Sequence, residues 1–351
     1  MKKNANLPPV FTTTMPWSET TNNIWPATYI HLRRNLESHP FPAKLTAKVA
    51  KEIQDLITES FSKSQIFPAV ELTPHQKELL FEHFILHEGF EKNDEGRCFI
   101  IDNTAKFLVL TNLEDHLHIH SICLDSDFTE TWKELLKLEQ ILSKKLGFAY
   151  SSKFGYMTSD PSLCGTALVA QAFLHLPMLI NLEKLADIVS ELPKDIQIKG
   201  LGEDGQFLGD LVLLENRYTL GLSEESILNS VKEMAQKFMS AEEDLRLNLT
   251  DDQIPLLKDK IGRSFGLISN AYSLKAEEAL SSLSLIHLGT QLGFLHDQGT
   301  FKFFDLFFSC QRAHLSEYEG NKTISNDLLS SARAHHLRKE ISTLIPSKLF
   351  T

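Results

Sequence analysis

Three histidines alternate with apolar residues in the segment His116-Leu117-His118-Ile119-His120, at spacing i, i+2 and i+4. This alternation is typical of a β-strand with one buried face, and it would place the three imidazoles on one side of the strand. Imidazoles placed in this way can bind zinc. The pattern also fits a half-exposed strand with polar side chains on one face, and no fourth ligand can be named. We therefore predict no metal site and keep zinc binding as an alternative.

Gly200, Gly202 and Gly205 satisfy the spacing G-x-G-x-x-G of dinucleotide-binding loops. Such a loop must lead directly into a helix, whereas residues 206–215 have the pattern of a strand. Glu203 and Asp204 would also repel a pyrophosphate. We therefore interpret this segment as a glycine-rich hairpin loop and exclude a dinucleotide site.

The most informative segment is residues 154–168, followed by His175-Leu176-Pro177. It contains Gly155-Tyr156-Met157-Thr158 and then Cys164-Gly165-Thr166. The segment resembles the signature of phosphagen kinases (ATP:guanidino phosphotransferases) and of bacterial McsB-type protein-arginine kinases. In these proteins a Gly-Tyr-Leu-Thr lead-in, a Cys-Pro-Thr/Ser-Asn run and a Gly-Thr-Gly turn precede His-Leu-Pro.

Four further segments resemble the same family in the same order along the chain. Ile30-His31-Leu32-Arg33-Arg34-Asn35 is similar to the family's Ile-Arg-Leu-Ala-Arg-Asn, and Asn112-Leu113-Glu114-Asp115-His116-Leu117-His118 is similar to Asn-Glu-Glu-Asp-His-x-Arg. Residues 220–224 match the Leu-Gly-x-Ser/Thr-Glu run before a long helix, and residues 263–266 resemble part of the helical domain of McsB-type enzymes. The likeness spans about residues 24 to 340.

The resemblance implies an α+β fold: a phosphagen-kinase (glutamine synthetase/guanido kinase-like) catalytic domain with an antiparallel sheet flanked by helices, and a C-terminal helical domain. It implies ATP and Mg²⁺ as cofactors. The positions matching nucleotide contacts of the family are Ala27, Thr28, Tyr29, Ile30, His31, His83, His118, Val169, Lys199, Gly200, Gly202 and Glu203.

The positions that carry phosphate-binding arginines in the family carry other residues here. By the resemblance, Tyr29, His31, His118 and Val169 replace four of these arginines, and Lys199 replaces the fifth. A guanidinium binds phosphate oxygens with a fixed fork and never loses its charge, whereas these four replacements are neutral at pH 7. We therefore expect weak ATP binding and little or no phosphoryl transfer.

The residues expected to hold the guanidine substrate are changed less clearly. Glu114 matches the catalytic carboxylate of the family, and Asp160 matches the cysteine that contacts the guanidinium. Two carboxylates could hold an arginine side chain between them, because a carboxylate pairs well with a guanidinium. The alternative is that both are solvated or salt-bridged surface acids.

Three functions are left open by the sequence. The first is a folded, dimeric scaffold without catalysis that binds a partner protein or an arginine-containing segment. The second is an active ATP:guanidino phosphotransferase acting on protein arginines or a small guanidine, and the third is a metal-binding module built on the histidine strand. The resemblance also implies a zinc-binding activator protein and the Clp unfoldase system as partners.

Helix and strand patterns outline the elements that must position these residues. Thr46 and Ser223 are predicted to cap helices, and a third helix is predicted over residues 130–146 with Gly147 as its stop. Strands are predicted over residues 97–101, 106–111, 116–122 and 206–215, and a helix over residues 165–176 that ends before Pro177. We divide the chain into a flexible arm (1–23), a phosphotransferase-like domain (24–247) and a helical dimerisation domain (248–351).

Composition excludes several classes of partner. The formal net charge of -11 argues against binding to nucleic acid or to anionic membranes. No apolar run approaches the length of about 20 residues that spans a bilayer, and the start of the chain does not resemble a signal peptide. The four cysteines have no metal-ligand spacing, which fits a reducing compartment. We expect a cytoplasmic protein.

Overall fold

A computed structural model describes residues 7–8, 11, 15–61, 64–86, 95–102, 107–124, 126–320 and 324–348. Within these ranges, one large sheet has eight strands: β1 (Ala27–Arg34), β2 (Gln65–Pro68), β3 (Cys98–Ile101), β4 (Phe107–Thr111), β5 (Leu117–Cys123), β8 (Leu168–His175), β9 (Ile196–Gly200) and β10 (Leu211–Asn216). Their order is β2-β3-β4-β5-β1-β8-β10-β9, and every neighbouring pair is antiparallel. Two small two-stranded sheets are formed by β6 (Tyr150–Ser151) with β7 (Gly155–Tyr156) and by β11 (Leu295–His296) with β12 (Ile345–Pro346).

Helices precede, connect and follow these strands. The first six are α1 (Ala47–Thr58), α2 (Pro74–Glu82), α3 (Thr129–Leu146), α4 (Pro177–Asn181), α5 (Leu185–Val189) and α6 (Glu224–Leu247). Beyond residue 250 the chain is mainly helical, with α7 (Gln253–Asn270), α8 (Ala276–Gln291), α9 (Phe303–Ser309), α10 (Arg312–Tyr318) and α11 (Asn326–Glu340). None of the helices in the described part of the chain is both long and apolar enough to cross a membrane.

Several local predictions are confirmed to within one or two residues at most ends. The Thr46 side chain accepts a hydrogen bond from the backbone N–H of Val49 and begins α1, and Ser223 caps α6 in the same way. Helix α3 ends at Gly147, whose φ of 63° is a conformation that favours glycine. The strands predicted over residues 97–101, 106–111 and 116–122 are β3, β4 and β5.

The helix predicted over residues 165–176 is wrong, because residues 168–175 form strand β8 in the middle of the sheet. Leu168, Ala170, Ala172 and Leu174 are buried on one face, which is the two-residue period of a strand. Strand β1 pairs with one edge of β8, and strand β10 pairs with the other. Pairing on both sides outweighs the helical propensity of its alanines and leucines, as tertiary context often does.

The two faces of the sheet are covered differently. Residues Ile30 and Leu32 of β1 lie on the first face, in a core shared with α1, α3 and α6. The alternate residues Ala27 and Tyr29 lie on the second face, in a core built mainly from the helices after residue 250. The helical part therefore covers only one end of the second face, and the neighbouring stretch of that face is left open.

The described residues of the predicted N-terminal arm pack against the domain. Trp17 is fully buried in the second-face core, where its ring stacks on Phe84 and meets Phe308 edge-on. Leu7 and Phe11 are also buried, in a smaller core beside β3 and β4. A polar segment with isolated aromatic residues was interpreted as an arm, although these few rings are anchored in the protein interior.

A buried polar cluster joins the helical part to the sheet. Ser284 Oγ of α8 donates a hydrogen bond of 2.5 Å to Asp210 Oδ2 and lies 2.8 Å from His175 Nε2 at the end of β8. Burial, followed by the negative charge of Glu242, raises the pKa of Asp210 to about 7, although Ser284 and Lys260 act in the opposite direction. In the folded protein this carboxyl therefore stays protonated at pH values well above the ordinary pKa of an aspartate.

This shift predicts a pH dependence of stability. The pKa of Asp210 rises from 3.8 to about 7 on folding, so its stabilising contribution is complete below 3.8 and is lost as pH rises through 7. Replacing Asp210 with Asn removes that loss. Between pH 5 and 8, we expect the variant to lose about 2 kcal/mol less of its free energy of unfolding than the unmodified protein.

Urea unfolding at a series of pH values measures this difference. Asp244→Asn is the matched control, because Asp244 lies exposed on α6 and its removal changes the net charge equally. Its stability should follow the unmodified protein in parallel. Parallel curves for Asp210→Asn as well would contradict the prediction.

Candidate functional site

The open stretch of the second sheet face forms a pocket of about 390 Å³. Its walls come from β1, β5, β8, β9 and β10, together with loop residues near Glu114 and Asp160. His31 of β1 lies between His120 of β5 and Val169 of β8 in the strand register, which brings these strands to one place. Six residues singled out from the sequence line the pocket: His31, Glu114, His118, Asp160, Val169 and Lys199.

Four neighbouring residues on β1 that were predicted to contact nucleotide do not line the pocket. Thr28 and Ile30 point to the opposite face, where Thr28 Oγ1 accepts a hydrogen bond from Trp25 Nε1. Ala27 and Tyr29 are on the pocket's face but lie beneath the helical part. Strand alternation explains this placement, because only every second residue of β1 is on the pocket's face of the sheet.

Tyr29 and His83 instead belong to a buried contact between the sheet, α2 and α10. The Tyr29 hydroxyl accepts a hydrogen bond from Trp17 Nε1 and donates one to the His83 carbonyl oxygen, each 3.1 Å long. His83 Nε2 lies 2.9 Å from His314 Nε2. Burial lowers the pKa of His83 well below its ordinary value, followed by the effect of His314. His83 is therefore buried in this contact and is not among the residues that line the pocket, so its nucleotide role stays a prediction.

The glycine-rich segment is a hairpin loop, as predicted. Gly200 is the last residue of β9, and a Cβ there would meet the carbonyl oxygens of Gly205 and Gln206 at 2.2 Å. The N–H of Gly202 donates to the Gln206 carbonyl oxygen at 3.0 Å. Gly200 and Gly202 thus serve the tight turn into β10 and are not among the residues that line the pocket. The side chain of Glu203 lies outside the described residues.

At one end of the pocket, the side chain of His31 contacts a second histidine and an amide group. Its Nδ1 lies 2.7 Å from Nδ1 of His120, and its Nε2 lies 2.7 Å from the side-chain oxygen of Gln171. Because an amide oxygen only accepts hydrogen bonds, His31 Nε2 is the donor to Gln171. The two facing Nδ1 atoms share one proton, so His31 and His120 cannot both be cationic.

A buried carboxylate lies next to this histidine pair. Glu215 is 4% exposed and accepts hydrogen bonds from the side-chain amides of Gln171, at 2.7 Å, and Gln197, at 2.8 Å. Lys199, the cation predicted to replace an arginine, forms an ion pair with Glu215. Its charge is therefore already compensated within the protein.

The charges of the described pocket wall balance one another. Three side chains are basic (Arg33, Lys199, Arg217) and three are acidic (Glu114, Asp160, Glu215). His118 adds little charge at neutral pH, because burial lowers its pKa despite the acceptor contact with Asp115. A magnesium-bound triphosphate needs a strongly basic set of donors, so the residues present do not fit that cofactor.

The other end of the pocket is acidic and contains an arginine of the chain itself. Glu114 Oε2 lies 3.4 Å from His118 Nε2 and 3.9 Å from Arg33 Nη1. Asp115 Oδ2 lies 3.8 Å from both of these nitrogen atoms. Glu114 and Asp115 thus face an arginine of the chain itself, whereas the predicted pairing of Glu114 with Asp160 around a substrate guanidinium stays a prediction.

Asp115 fixes the geometry of this acidic end. Its Oδ1 accepts hydrogen bonds from Asn35 Nδ2 at 2.6 Å and from the backbone N–H of Ser159 at 2.7 Å. Burial alone would raise the pKa of Asp115, but the contacts from His118, Ser159 and Asn35 lower it to about 2. The carboxylate is therefore charged at all ordinary pH values and ties the end of β1 to two loops.

Asp160 is turned partly toward its own loop. Its Oδ1 accepts hydrogen bonds from the backbone N–H of Ser162 at 2.9 Å and from the Ser162 hydroxyl at 2.8 Å. It thereby caps the short 3₁₀ turn Pro161–Leu163. The residue is exposed and lines the pocket.

The three alternating histidines do not form one cluster. His116 lies before β5, with Nδ1 accepting from the Leu36 N–H and Nε2 3.0 Å from the Pro40 carbonyl oxygen. Burial lowers the pKa of His116 to about 4. Among the residues that the structure describes, no group of three His, Cys, Asp or Glu side chains could hold a metal ion.

Sequence reasoning missed Arg33, Gln171, Gln197, Glu215 and Arg217, which all line the pocket. Arg33 stands two residues after His31, so the strand period of β1 could have found it. Gln171 stands two residues after Val169, but the helix predicted over residues 165–176 gives that segment a different period. Glu215 and Gln197 become visible only once β10 and β9 are known to be neighbours.

Comparisons with known proteins agree with this architecture. Residues 44–245 match the family model of the ATP:guanido phosphotransferase C-terminal catalytic domain, and residues 255–349 match that of the protein-arginine kinase McsB C-terminal domain. Among solved structures, lombricine kinase has a TM-score of 0.58 and 20% identity, covering 67% of this chain and 71% of that chain. The substrate-free duplicated taurocyamine kinase from Schistosoma mansoni has a TM-score of 0.57 and 20% identity, covering 89% of this chain and 46% of that chain. At these identities the structures show the fold alone.

Two curated relatives match almost the full length. A protein-arginine kinase of Chlamydia pneumoniae is 33% identical over 339 residues, which is 94% of this chain and 95% of the relative. A protein-arginine kinase of Chlamydia muridarum is 31% identical over 343 residues, covering 95% of this chain and 96% of the relative. The fold, both family models and these relatives lead to one conclusion: the chain belongs to the protein-arginine kinase family, within the ATP:guanido phosphotransferases.

Proposed function

We propose that this chain is a family member with weak or absent phosphoryl transfer that acts as a binding scaffold for arginine-containing protein segments. The observation that carries the proposal is Glu215, a buried carboxylate among the residues that would have to hold phosphate. It engages Lys199 and repels the charge that an ATP site must attract. A scaffold needs the acidic end of the pocket but no triphosphate.

The size of the expected loss supports this proposal. A hydrogen bond to a charged group contributes about 1.5–3 kcal/mol, and a single arginine that stabilises the transition state is worth about 10³–10⁵ in rate. By the family resemblance, His31, His118 and Val169 stand at arginine positions and line the pocket. Losing several such groups together would reduce transfer to a trace even where their effects overlap.

The partners proposed for this scaffold follow from the family resemblance. They are a second copy of the chain, held through residues 248–351, a zinc-binding activator protein and the Clp unfoldase system. We propose a cytoplasmic location for the same reason. Light scattering measures the molar mass in solution and would test the dimer directly. A dimer held through residues 248–351 should dissociate when exposed residues of that part are substituted.

An active ATP:guanidino phosphotransferase is the alternative function. Glu114 and Asp160 both line the pocket, and Arg33 and Arg217 supply guanidinium groups there that the sequence comparison did not count. These groups would have to bind phosphate from positions other than the family's. Arg33 and Arg217 could bind phosphate only after leaving the contacts that they make within the protein.

The first prediction concerns the nucleotide. Mg-ATP at micromolar concentration should produce neither a thermal shift nor calorimetric heat with the unmodified protein, because the wall of the pocket has no net positive charge. Differential scanning fluorimetry and isothermal titration measure the two signals. Micromolar binding of Mg-ATP would contradict the proposed function.

The second prediction concerns Glu215. Changing Glu215 to Gln keeps the side-chain shape, removes one negative charge and releases Lys199, so affinity for Mg-ATP should rise about tenfold. Glu233→Gln on the exposed face of α6 is the control with the same change in net charge. Equal effects of the two substitutions would mean that Glu215 exerts no local repulsion.

The third prediction concerns turnover. Incubation with labelled ATP and an arginine-rich protein should leave at most a trace of acid-labile label on arginine. Substantial labelling that disappears in Glu114→Gln would establish the alternative function, because Glu114 matches the family's catalytic carboxylate. Substantial labelling that survives in Glu114→Gln would come from a contaminating kinase.

A further inference from the structure

Arg33 places a guanidinium group of the chain inside the acidic end of the pocket. Its Nη1 lies 3.9 Å from Glu114 Oε2 and 3.8 Å from Asp115 Oδ2. Glu114 lines the pocket and is the carboxylate of this pair that an arginine side chain entering from outside could reach, whereas Asp115 adds its negative charge from behind the wall. The place where an incoming guanidinium would bind is therefore faced by the guanidinium of Arg33.

The strand register explains why Arg33 reaches this position. Arg33 is paired with His118 across β1 and β5, and it follows His31 by two residues, so all three side chains share the pocket's face. The neighbouring Arg34 points the other way and is buried against Glu139 at 3.0 Å. The family segment that this region resembles has alanine where Arg33 stands.

The contact of Arg33 with the two carboxylates is weak enough for a ligand to displace the Arg33 side chain. The side chain of Arg33 is 20% exposed, that of Glu114 is 46% exposed, and both distances are longer than a hydrogen bond. An ion pair of this kind is weak, because solvent screens it. Asp115, in contrast, is completely buried and stays in place through Asn35 and Ser159.

We propose that Arg33 is an internal occupant of the guanidinium subsite and determines which ligands the pocket accepts. The proposal rests on the proposed function, since it concerns the same arginine-binding end. An incoming arginine must displace the Arg33 side chain and tolerate its positive charge nearby, which disfavours isolated guanidines. Arginine in a segment with neighbouring acidic residues satisfies Arg33 at the same time and is the preferred ligand.

Titration of the full-length protein with Nα-acetyl-arginine amide tests the proposal. The variants are Arg33→Ala, which introduces the residue of the resembled family segment, and Arg33→Gln, which keeps most of the side-chain length without its charge. Arg33→Lys is the control that retains the positive charge. We expect Arg33→Ala and Arg33→Gln to bind the amide about tenfold more tightly than the unmodified protein, because like charges no longer oppose each other.

Two further measurements establish where the amide binds. Adding Glu114→Gln to Arg33→Ala should abolish the gain, because the vacated carboxylate is then missing. The corresponding lysine derivative should gain less than the arginine amide, since an ammonium cannot form the planar fork. Thermal unfolding of each variant shows that the fold is retained, and Arg33→Gln provides the test if Arg33→Ala does not fold.

The outcomes separate this proposal from the proposed function. Equal affinity of the unmodified protein, Arg33→Ala and Arg33→Gln for the amide would overturn the role of Arg33 and leave the arginine-binding scaffold intact. Absence of binding by every variant would overturn both the role of Arg33 and the arginine-binding part of the proposed function. The Mg-ATP titration would still decide the catalytic part independently.

Discussion

The buried carboxylate of Asp115 is the constraint on which the acidic end of the pocket depends. It receives hydrogen bonds from Asn35 at the end of β1 and from Ser159 in the loop that carries Asp160. Its own backbone follows Glu114, whose carbonyl oxygen accepts from the Ser159 hydroxyl at 2.5 Å. One fixed negative charge therefore connects three separate segments, and the hydrogen bonds to Oδ1 offset part of the free energy lost by burying it.

The sequence was sufficient to predict which strands and helices surround this site but not how they share faces. Period-two patterns located β3, β4 and β5, and capping residues located α1 and α6. The position of β8 was missed because its alanines and leucines suit a helix, and only pairing with β1 and β10 makes it a strand. Tyr29 and His83 were misplaced for a related reason: their contacts with Trp17 and His314 join residues distant in the sequence.

The resemblance predicts which residues of this chain stand at the family's arginine positions, whereas the contacts that those residues make in the fold could not be predicted from the sequence. Once His31 stands in a buried strand, it needs uncharged partners, and His120 and Gln171 supply them. Gln171 in turn donates to Glu215, which also takes Gln197 and Lys199. These residues form one connected set of polar contacts across the wall of the pocket.

At both ends of the pocket, charged side chains of the protein compensate one another. The free energy that a ligand loses by disrupting these pairs differs between the two ends. Glu215 is nearly inaccessible and contacts Lys199 together with two amides, so a phosphate binding at Lys199 would have to disrupt this ion pair and the hydrogen bonds beside it. Arg33 and Glu114 are partly exposed and meet at a longer distance, so solvent already weakens their attraction. Binding favours the end whose contacts are lost most cheaply, because the free energy of association is what remains after such losses. The contacts at the Glu215 end therefore oppose a triphosphate more strongly than those at the Arg33 end oppose a guanidinium, which is the difference on which the proposed recognition of arginine rests.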